Sequence, residues 1–330
     1  MRVGIVGTGF MGRTHAAAWA KTPAEIVGYV SKDGETAVSL QNQYGGQIYP
    51  DLASLLQDVD VVDICAPTHR HYEMVLEAAA AGKDIVCEKP LARTLAQAKE
   101  MVEVCEQAGV KLLVAHVVRY FPEYAQAKAQ VAANAIGRPA VIRLTRGTFQ
   151  PKKAADNWFV NFEKSGGMML DLMIHDFDYA RWVAGDVVQV YAKNIGNSLP
   201  GTAVDHGLAI LTHKNGAISH VEGSWAYPPP LFRTRLEIAG DNGLIQCDSG
   251  QAAAINTYLH QQGGDAPDVP IPRSPMLEDP YTKQIKAFYD HIEHDAPVVV
   301  TAVDGYKALQ IALAAIQSAQ TGKPVAIENI

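Results

Sequence analysis

Cysteine is scarce in this 330-residue chain: Cys65, Cys87, Cys105 and Cys247 are the whole set, with no CxxC and no other ligand spacing. That excludes a disulfide framework and a zinc-ribbon site, and it points to a reducing compartment. Positive charge is not in excess either, with 28 Lys and Arg against 35 Asp and Glu. A net charge of −7 offers no basic footprint, so nucleic acid is not expected as a partner. No apolar run is long enough to span a bilayer, and no internal repeat or low-complexity segment stands out. The first strand begins at Arg2, which leaves no room for a signal peptide; the expectation is a cytoplasmic protein. What remains is 48% hydrophobic and 19% charged, an ordinary globular composition at a length that suggests two domains.

The N-terminus carries the first chemistry. An apolar run, Val3-Gly4-Ile5-Val6, leads directly into Gly7-Thr8-Gly9-Phe10-Met11-Gly12 and a helical stretch through Ala20. A GxGxxG between a strand and a helix is a dinucleotide fingerprint. Gly7 permits the tight turn, Gly9 lets the backbone approach a pyrophosphate, and Gly12 lets helix and strand pack closely. The helix N-terminus then offers N–H groups and its dipole to the phosphates. Strand and helix patterns alternate onward: strands at 25–31, 59–66, 84–88 and 111–117, helices at 52–56, near 71–81 and at 95–108. No element is predicted between Ser31 and Leu52. Such alternation predicts a parallel, doubly wound sheet with ligands at the carboxyl ends of its strands.

Those strand ends hold the informative side chains. An NAD site usually places an acid after the second strand; here the residues are Ser31 and Lys32, with Asp33 two positions late. Serine does not repel a 2′-phosphate and Lys32 attracts one, so the expectation leans to NADP over NAD, unless the two merely form a solvated turn. After the strand ending at Ala66 come Pro67, Thr68, His69, Arg70 and His71, a loop that should border the cofactor, with Thr68 a candidate N-cap. His69 and His71 are ligands by type, but no third ligand stands at a recognised spacing, and no metal is expected. Glu88-Lys89-Pro90 follows the next strand. Lys89 there can hydrogen-bond a substrate hydroxyl and stabilise an alkoxide-like transition state; the plainer reading is an exposed ion pair worth little.

The segment 165–176, SGGMMLDLMIHD, reads as one buried helix that carries Asp171 and His175 four residues apart on one face, with Asp178 a turn further. Burying two polar groups among Met168, Met169, Leu172, Met173, Phe177 and Trp182 requires that they pair or face a polar cleft. A carboxylate that fixes an imidazole tautomer makes a positioned general base; a structural core pair is the alternative. Further on, 187–195, 204–212, 218–227, 232–238 and 244–247 read as strands joined by short turns such as Lys214-Asn215-Gly216. Alternation puts His206, Leu208 and Ile210, and likewise Leu236 and Ile238, on the buried face, with Arg233, Arg235 and Glu237 opposite. A Pro- and Gly-rich loop covers 263–276, and helices near 281–293 and 302–320 close the chain. A sheet covered on one side only invites a second copy, so a homodimer or homotetramer is expected.

GTGFMG, Ala66-Pro67-Thr68 with His71, Cys87-Glu88-Lys89-Pro90-Leu91, and Gly166-Gly167 with Asp171 and His175-Asp176, in this order, resemble the Gfo/Idh/MocA family, which includes glucose–fructose oxidoreductase and inositol dehydrogenase. The resemblance implies an α/β fold: a Rossmann domain over 1–120, and over 121–330 a C-terminal α/β domain with a large, mostly antiparallel open sheet, its closing helix free to pack back on the first domain. It also implies a nicotinamide cofactor and a sugar or cyclitol hydroxyl as the reacting group. By motif match Lys89, Asp171 and His175 take the catalytic roles. Thr8, Phe10, Met11, Ala66, Pro67, Thr68, His71 and Glu88 join the glycines at the cofactor. His116, Arg119, Tyr120, Asp156 and Trp158 fall where family members approach substrate. An NAD-dependent glycosidase using transient oxidation and a non-catalytic NAD(P)-binding sensor are the rival readings.

Overall fold

The computed structural model describes residues 1–151, 158–196, 205–250 and 278–327 and divides the chain into two compact units. The first comprises Met1–Phe121 and Glu163–Ser165, joined by the described part of Pro275–Leu309; the remainder forms the second.

In the first unit the elements run β1 (Arg2–Val6), α1 (Phe10–Trp19), β2 (Glu25–Val30), α2 (Gly34–Tyr44), β3 (Gln47–Tyr49), α3 (Leu52–Leu56), β4 (Val61–Ile64), α4 (His71–Ala80), β5 (Asp84–Glu88), α5 (Leu95–Ala108) and β6 (Leu112–Ala115). All strands pair in parallel, in the order β3-β2-β1-β4-β5-β6. Val61, Val62 and Ile64 are fully buried, as a strand with both faces covered requires. The order reverses between β1 and β4, so the crevice for a ligand opens at their carboxyl ends, where Gly7 and Cys65 stand. Two elements carry too little apolar signal to be read from sequence. Helix α2 buries only Ala37 and Leu40 and is started by the Asp33 side chain, which accepts from Glu35 N and Thr36 N. Strand β3 is a three-residue edge. Thr68 does not cap α4: it opens a short 3₁₀ turn, and α4 follows Arg70 with no side-chain cap.

The second unit holds α6 (Pro122–Ala132), β7 (Pro139–Thr148), most of the short helices α7 (Phe162–Ser165) and α8 (Gly167–Asp171), then α9 (Ile174–Ala184), β8 (Val187–Asn194), β9 (His206–His213), β10 (Ile218–Ser224), β11 (Phe232–Gly240) and β12 (Gly243–Asp248). Helix α10 (Pro280–His294) returns to the first unit, α11 (Ala302–Thr321) belongs to it through Leu309, and β13 (Val325–Ala326) ends the second sheet. That sheet has the order β12-β11-β7-β10-β9-β8-β13 and is antiparallel except for β7 against β10.

The alternation in β9 has the opposite phase from the one expected. Gly207, Ala209, Leu211 and His213 are buried, while Leu208 and Ile210 face outward at 44% and 37% exposure. The reason lies beneath the helices. Gly207 and Gly223 are cross-strand partners, and a Cβ on Gly223 would stand 2.3 Å from Met173 Cγ and 2.9 Å from Met168 Sδ. Two methionines therefore rest on a floor of bare backbone, which fixes the inward face of both strands. Glu237 also departs from expectation. It is 8% exposed, held by Arg143, Arg235 and Gln246.

Candidate active site

The glycine loop has the geometry a dinucleotide needs. Gly7 takes φ +92°, and a Cβ on Gly12 would lie 1.9 Å from Gly7 O, so only glycine lets α1 start this close to β1. Gly9 precedes α1, whose first turn has no side-chain cap and no acidic residue. Its N–H groups therefore remain for an anionic ligand, the role a pyrophosphate fills. Thr8 is buried rather than presented: Oγ1 lies 2.5 Å from both Ser31 Oγ and Thr36 Oγ1, clipping the loop to the end of β2. Ser31 is engaged by that clip and by Asp33 N. Beyond it Lys32, Asp33, Gly34, Glu35 and Val38 line an open surface pocket. That pocket holds two carboxylates to one ammonium.

At the end of β4, Ala66 and Pro67 are half-buried and Thr68 is buried. His71 is buried too, with Nδ1 2.9 Å from Pro90 O and Nε2 2.8 Å from Ala66 O. Burial pushes its pKa down against the pull of those carbonyls. Its ring lies between the Ala66 and Pro90 turns, and in the neutral form one N–H donates to one of the two carbonyls. Glu88 ends β5, and its Oε2 accepts from Lys89 N at 3.1 Å. Lys89 is half-buried at the carboxyl end of the parallel sheet.

Beneath these turns lies a cluster that the sequence did not betray, because His15 reads there as one more residue of an Ala-rich helix. His15 Nδ1 stands 2.9 Å from Asp63 Oδ2, which also accepts from Trp19 Nε1 at 2.7 Å. Cys65 Sγ is 3.3 Å from the same ring nitrogen. On the far side His15 Nε2 is 3.2 Å from Glu88 Oε1, an ion-pair contact and not an aligned hydrogen bond. His15 and Asp63 are 0% exposed. Burial lowers the imidazole pKa, but Asp63 and Cys65 together outweigh it and His15 ends well above its ordinary value.

Three residues expected at the substrate are taken up inside the first unit. His116 is fully buried after β6. Arg119 donates to Val299 O at 2.7 Å and pairs with Asp304 at 3.1 Å, while Tyr120 sets its ring edge-on to Phe288. The partners of Arg119 and Tyr120 lie some 170 to 185 residues on, out of reach of any local pattern. In the second unit Trp158 stacks on Phe159 with ring centroids 4.0 Å apart. Asp156 lies outside the described residues.

Asp171 and His175 do not share one helix. Helix α8 ends at Asp171 and α9 begins at Ile174. Met168 O receives both Leu172 N at 2.8 Å and Met173 N at 3.2 Å, so the turn loosens where the two methionines seat on Gly207 and Gly223. Asp171 is 9% exposed and His175 half-buried. The next residue, Asp176, meets Arg146 of β7 through two bonds of 2.7 and 3.0 Å. This anchor sets the start of α9, and hence His175, on the sheet.

Two family models account for nearly all of this chain. Residues 1–116 match the oxidoreductase family's NAD-binding Rossmann fold, and residues 128–327 match the same family's C-terminal alpha/beta domain. The chain belongs to the Gfo/Idh/MocA family. Within the family it is 29% identical to a myo-inositol 2-dehydrogenase of Thermotoga maritima, over 100% of this chain and 99% of that one. Among solved structures it superposes on GenD2 from gentamicin A biosynthesis in complex with NAD with a TM-score of 0.87, at 25% identity, covering 100% of this chain and 97% of that one. A levoglucosan dehydrogenase in complex with NADH and levoglucosan gives 0.83 at 26%, each chain covered in full. The first unit is thus the nicotinamide-dinucleotide half of an oxidoreductase, and the uncapped α1 and bare Gly12 fit that group. No helix among the described residues is long and apolar enough to cross a membrane.

Proposed function

We propose that this protein is an NAD-linked dehydrogenase that oxidises a hydroxyl of a cyclic sugar or cyclitol, or reduces the corresponding carbonyl. The observation that carries the reading is Lys89 at the carboxyl end of β5, in the same unit as the glycine loop, in a chain that also keeps Asp171 and His175. Relatives named for myo-inositol, apiose and levoglucosan supply the substrate class.

A nicotinamide dinucleotide held at the Gly7–Gly12 loop would supply the hydride acceptor or donor. The protein's share is orientation and proton transfer. Lys89 donates to the reacting oxygen and stabilises its negative charge as the O–H bond breaks. His175 takes the hydroxyl proton, and Asp171 favours the imidazolium that results. In the reductive direction His175 returns that proton. Each turnover moves two electrons as hydride and one proton, so hydroxyl becomes carbonyl with no further oxidant.

For the 2′ position the lean of Ser31 and Lys32 toward NADP is outweighed. Ser31 is engaged by Thr8, and the pocket beyond sets Asp33 and Glu35 against a single Lys32, an unfavourable place for a phosphate dianion. A panel of inositols, aldoses and anhydro-sugars with NAD and with NADP, followed at the nicotinamide absorbance band, tests all three points. Net reduction of NAD by a polyol or cyclic sugar is expected. Glycoside cleavage without net absorbance change would replace the dehydrogenase by a glycosidase, and tighter binding of NADP would reverse the cofactor assignment. Exposed Leu208, Ile210 and Ile218 on the outer face of β9 and β10 further support a homodimer or homotetramer, to be read from the molar mass in solution.

A further inference from the structure

The reading of Lys89 as the residue that polarises the substrate oxygen leaves a question about its support. Lysine has a long, flexible stem, and a catalytic ammonium must be held to within a fraction of an ångström. The backbone of Lys89 is held on both sides by buried imidazoles. His71 bonds Pro90 O, one residue after the lysine. Glu88, one residue before it, turns one carboxylate oxygen to Lys89 N and the other to His15. His15 in turn leans on Asp63, which Trp19 and Cys65 also address. The line Asp63–His15–Glu88–Lys89 N therefore crosses β4, α1 and β5 without reaching solvent until Lys89 itself.

We propose that His15, held between Asp63 and Glu88, is a positioning residue for Lys89. It locks the Glu88 carboxylate in the orientation that receives the Lys89 amide. This rests on the assignment of Lys89 in the proposed reaction. A purely packing role would not need the arrangement. Asp63 and Glu88 flank a ring with no exposure, and an imidazolium is the charge state that neutralises one and attracts the other. The groups facing the ring are Asp63 from β4, Cys65 just after it and Glu88 from β5, while Trp19 from its own helix donates to Asp63.

The decisive variant is Asp63→Asn, which keeps the shape and an acceptor for Trp19 but removes the charge that holds the proton on His15. In the parent enzyme Asp63 strengthens the hold of His15 on its proton, so this group is expected to impose little pH dependence there. In the variant the ring titrates. At low pH it is charged and grips Glu88; as pH rises it becomes neutral and releases it. The kcat of Asp63→Asn should thus fall about tenfold or more between pH 6 and 8 relative to the parent, with KM for NAD moving by less than about threefold. Glu88→Gln, which keeps an acceptor for Lys89 N but not the ion pair, should lower kcat at all these pH values, and Asp63→Asn added to it should cost little more. A parent-like pH profile in Asp63→Asn, or additive losses in the double variant, overturns the proposal. Should Asp63→Asn fail to fold, His15→Gln replaces it, with a kcat loss of about tenfold at unchanged NAD affinity expected and a loss under twofold refuting the role. Lys89→Ala is run alongside: if it keeps full turnover, the assignment of Lys89 fails, whatever the His15 variants do.

Discussion

Arg146 and Asp176 meet through two parallel N–H···O bonds of 2.7 and 3.0 Å, with side chains 3% and 1% exposed. The pair joins the interior strand β7 to the first turn of α9, one residue past His175. Removing either partner strands a charge in the core. Arg146→Met should destabilise the protein by about 3–5 kcal/mol, whereas Arg146→Met with Asp176→Leu should recover much of that loss. Urea unfolding of the singles and the double decides it; a double variant no more stable than the singles would show that the pair contributes through geometry instead of charge.

Turnover should depend on His175 far more than binding does. His175→Ala is expected to lower kcat by about 10²–10⁴-fold, the usual worth of a positioned general base, while the dissociation constant for NAD stays within about twofold. Stopped-flow reduction of NAD and cofactor fluorescence separate the two quantities.

The glycine floor under the methionines predicts a stability effect at a distance from any chemistry. Gly223→Ala would place a methyl 2.3 Å from Met173 Cγ, so Met173 must move or the strand must yield. Overpacking of this kind costs about 1–3 kcal/mol. A drop in Tm accompanied by lost activity would tie the seat of Met173 to the α8–α9 break; lost stability with activity retained at low temperature would separate them.

Acid should loosen the first unit through Asp304. Burial raises its pKa, but Arg119 and Thr301 outweigh that and hold it at about 2. A folded value below the unfolded one contributes stability that is present above the unfolded pKa and lost as pH falls from about 4 to 2. With allowance for partial exposure the contribution is of order 1 kcal/mol. Asp304→Asn should flatten stability against pH in that window, as denaturant titrations at stepped pH would register.

Motifs whose parts are close in sequence were legible, and features completed from afar were not. Gly7, Gly9 and Gly12 declare their purpose within six residues, and the strand–helix alternation around them dictates the parallel sheet. Lys89 was placed by its position after β5. Arg119 and Tyr120, by contrast, look like a basic, aromatic substrate patch until Asp304 and Phe288 arrive to occupy them. The unbroken helix expected at Asp171 and His175 fails because the seat for Met168 and Met173 is built by Gly207 and Gly223, some 40 to 50 residues on. In β9 alternation supplies the period, but its phase is set by that same seat. His15 was invisible for a simpler reason: it sits on a helix, and its partners Asp63 and Glu88 lie on two strands far along the chain.

Helix α10 has a consequence in time. Ile285 and Phe288 lie in the same apolar cluster as Val3, Ile5, Trp19 and Leu113, and Lys111 holds the helix by the carbonyls of His291 and Ile292. A ribosome releases the sheet's last strand at residue 115 but does not release this helix until some 180 residues later. Through that interval the growing chain carries a complete parallel sheet with a bare greasy flank. The nascent protein must be shielded, or must wait, before its first half can close.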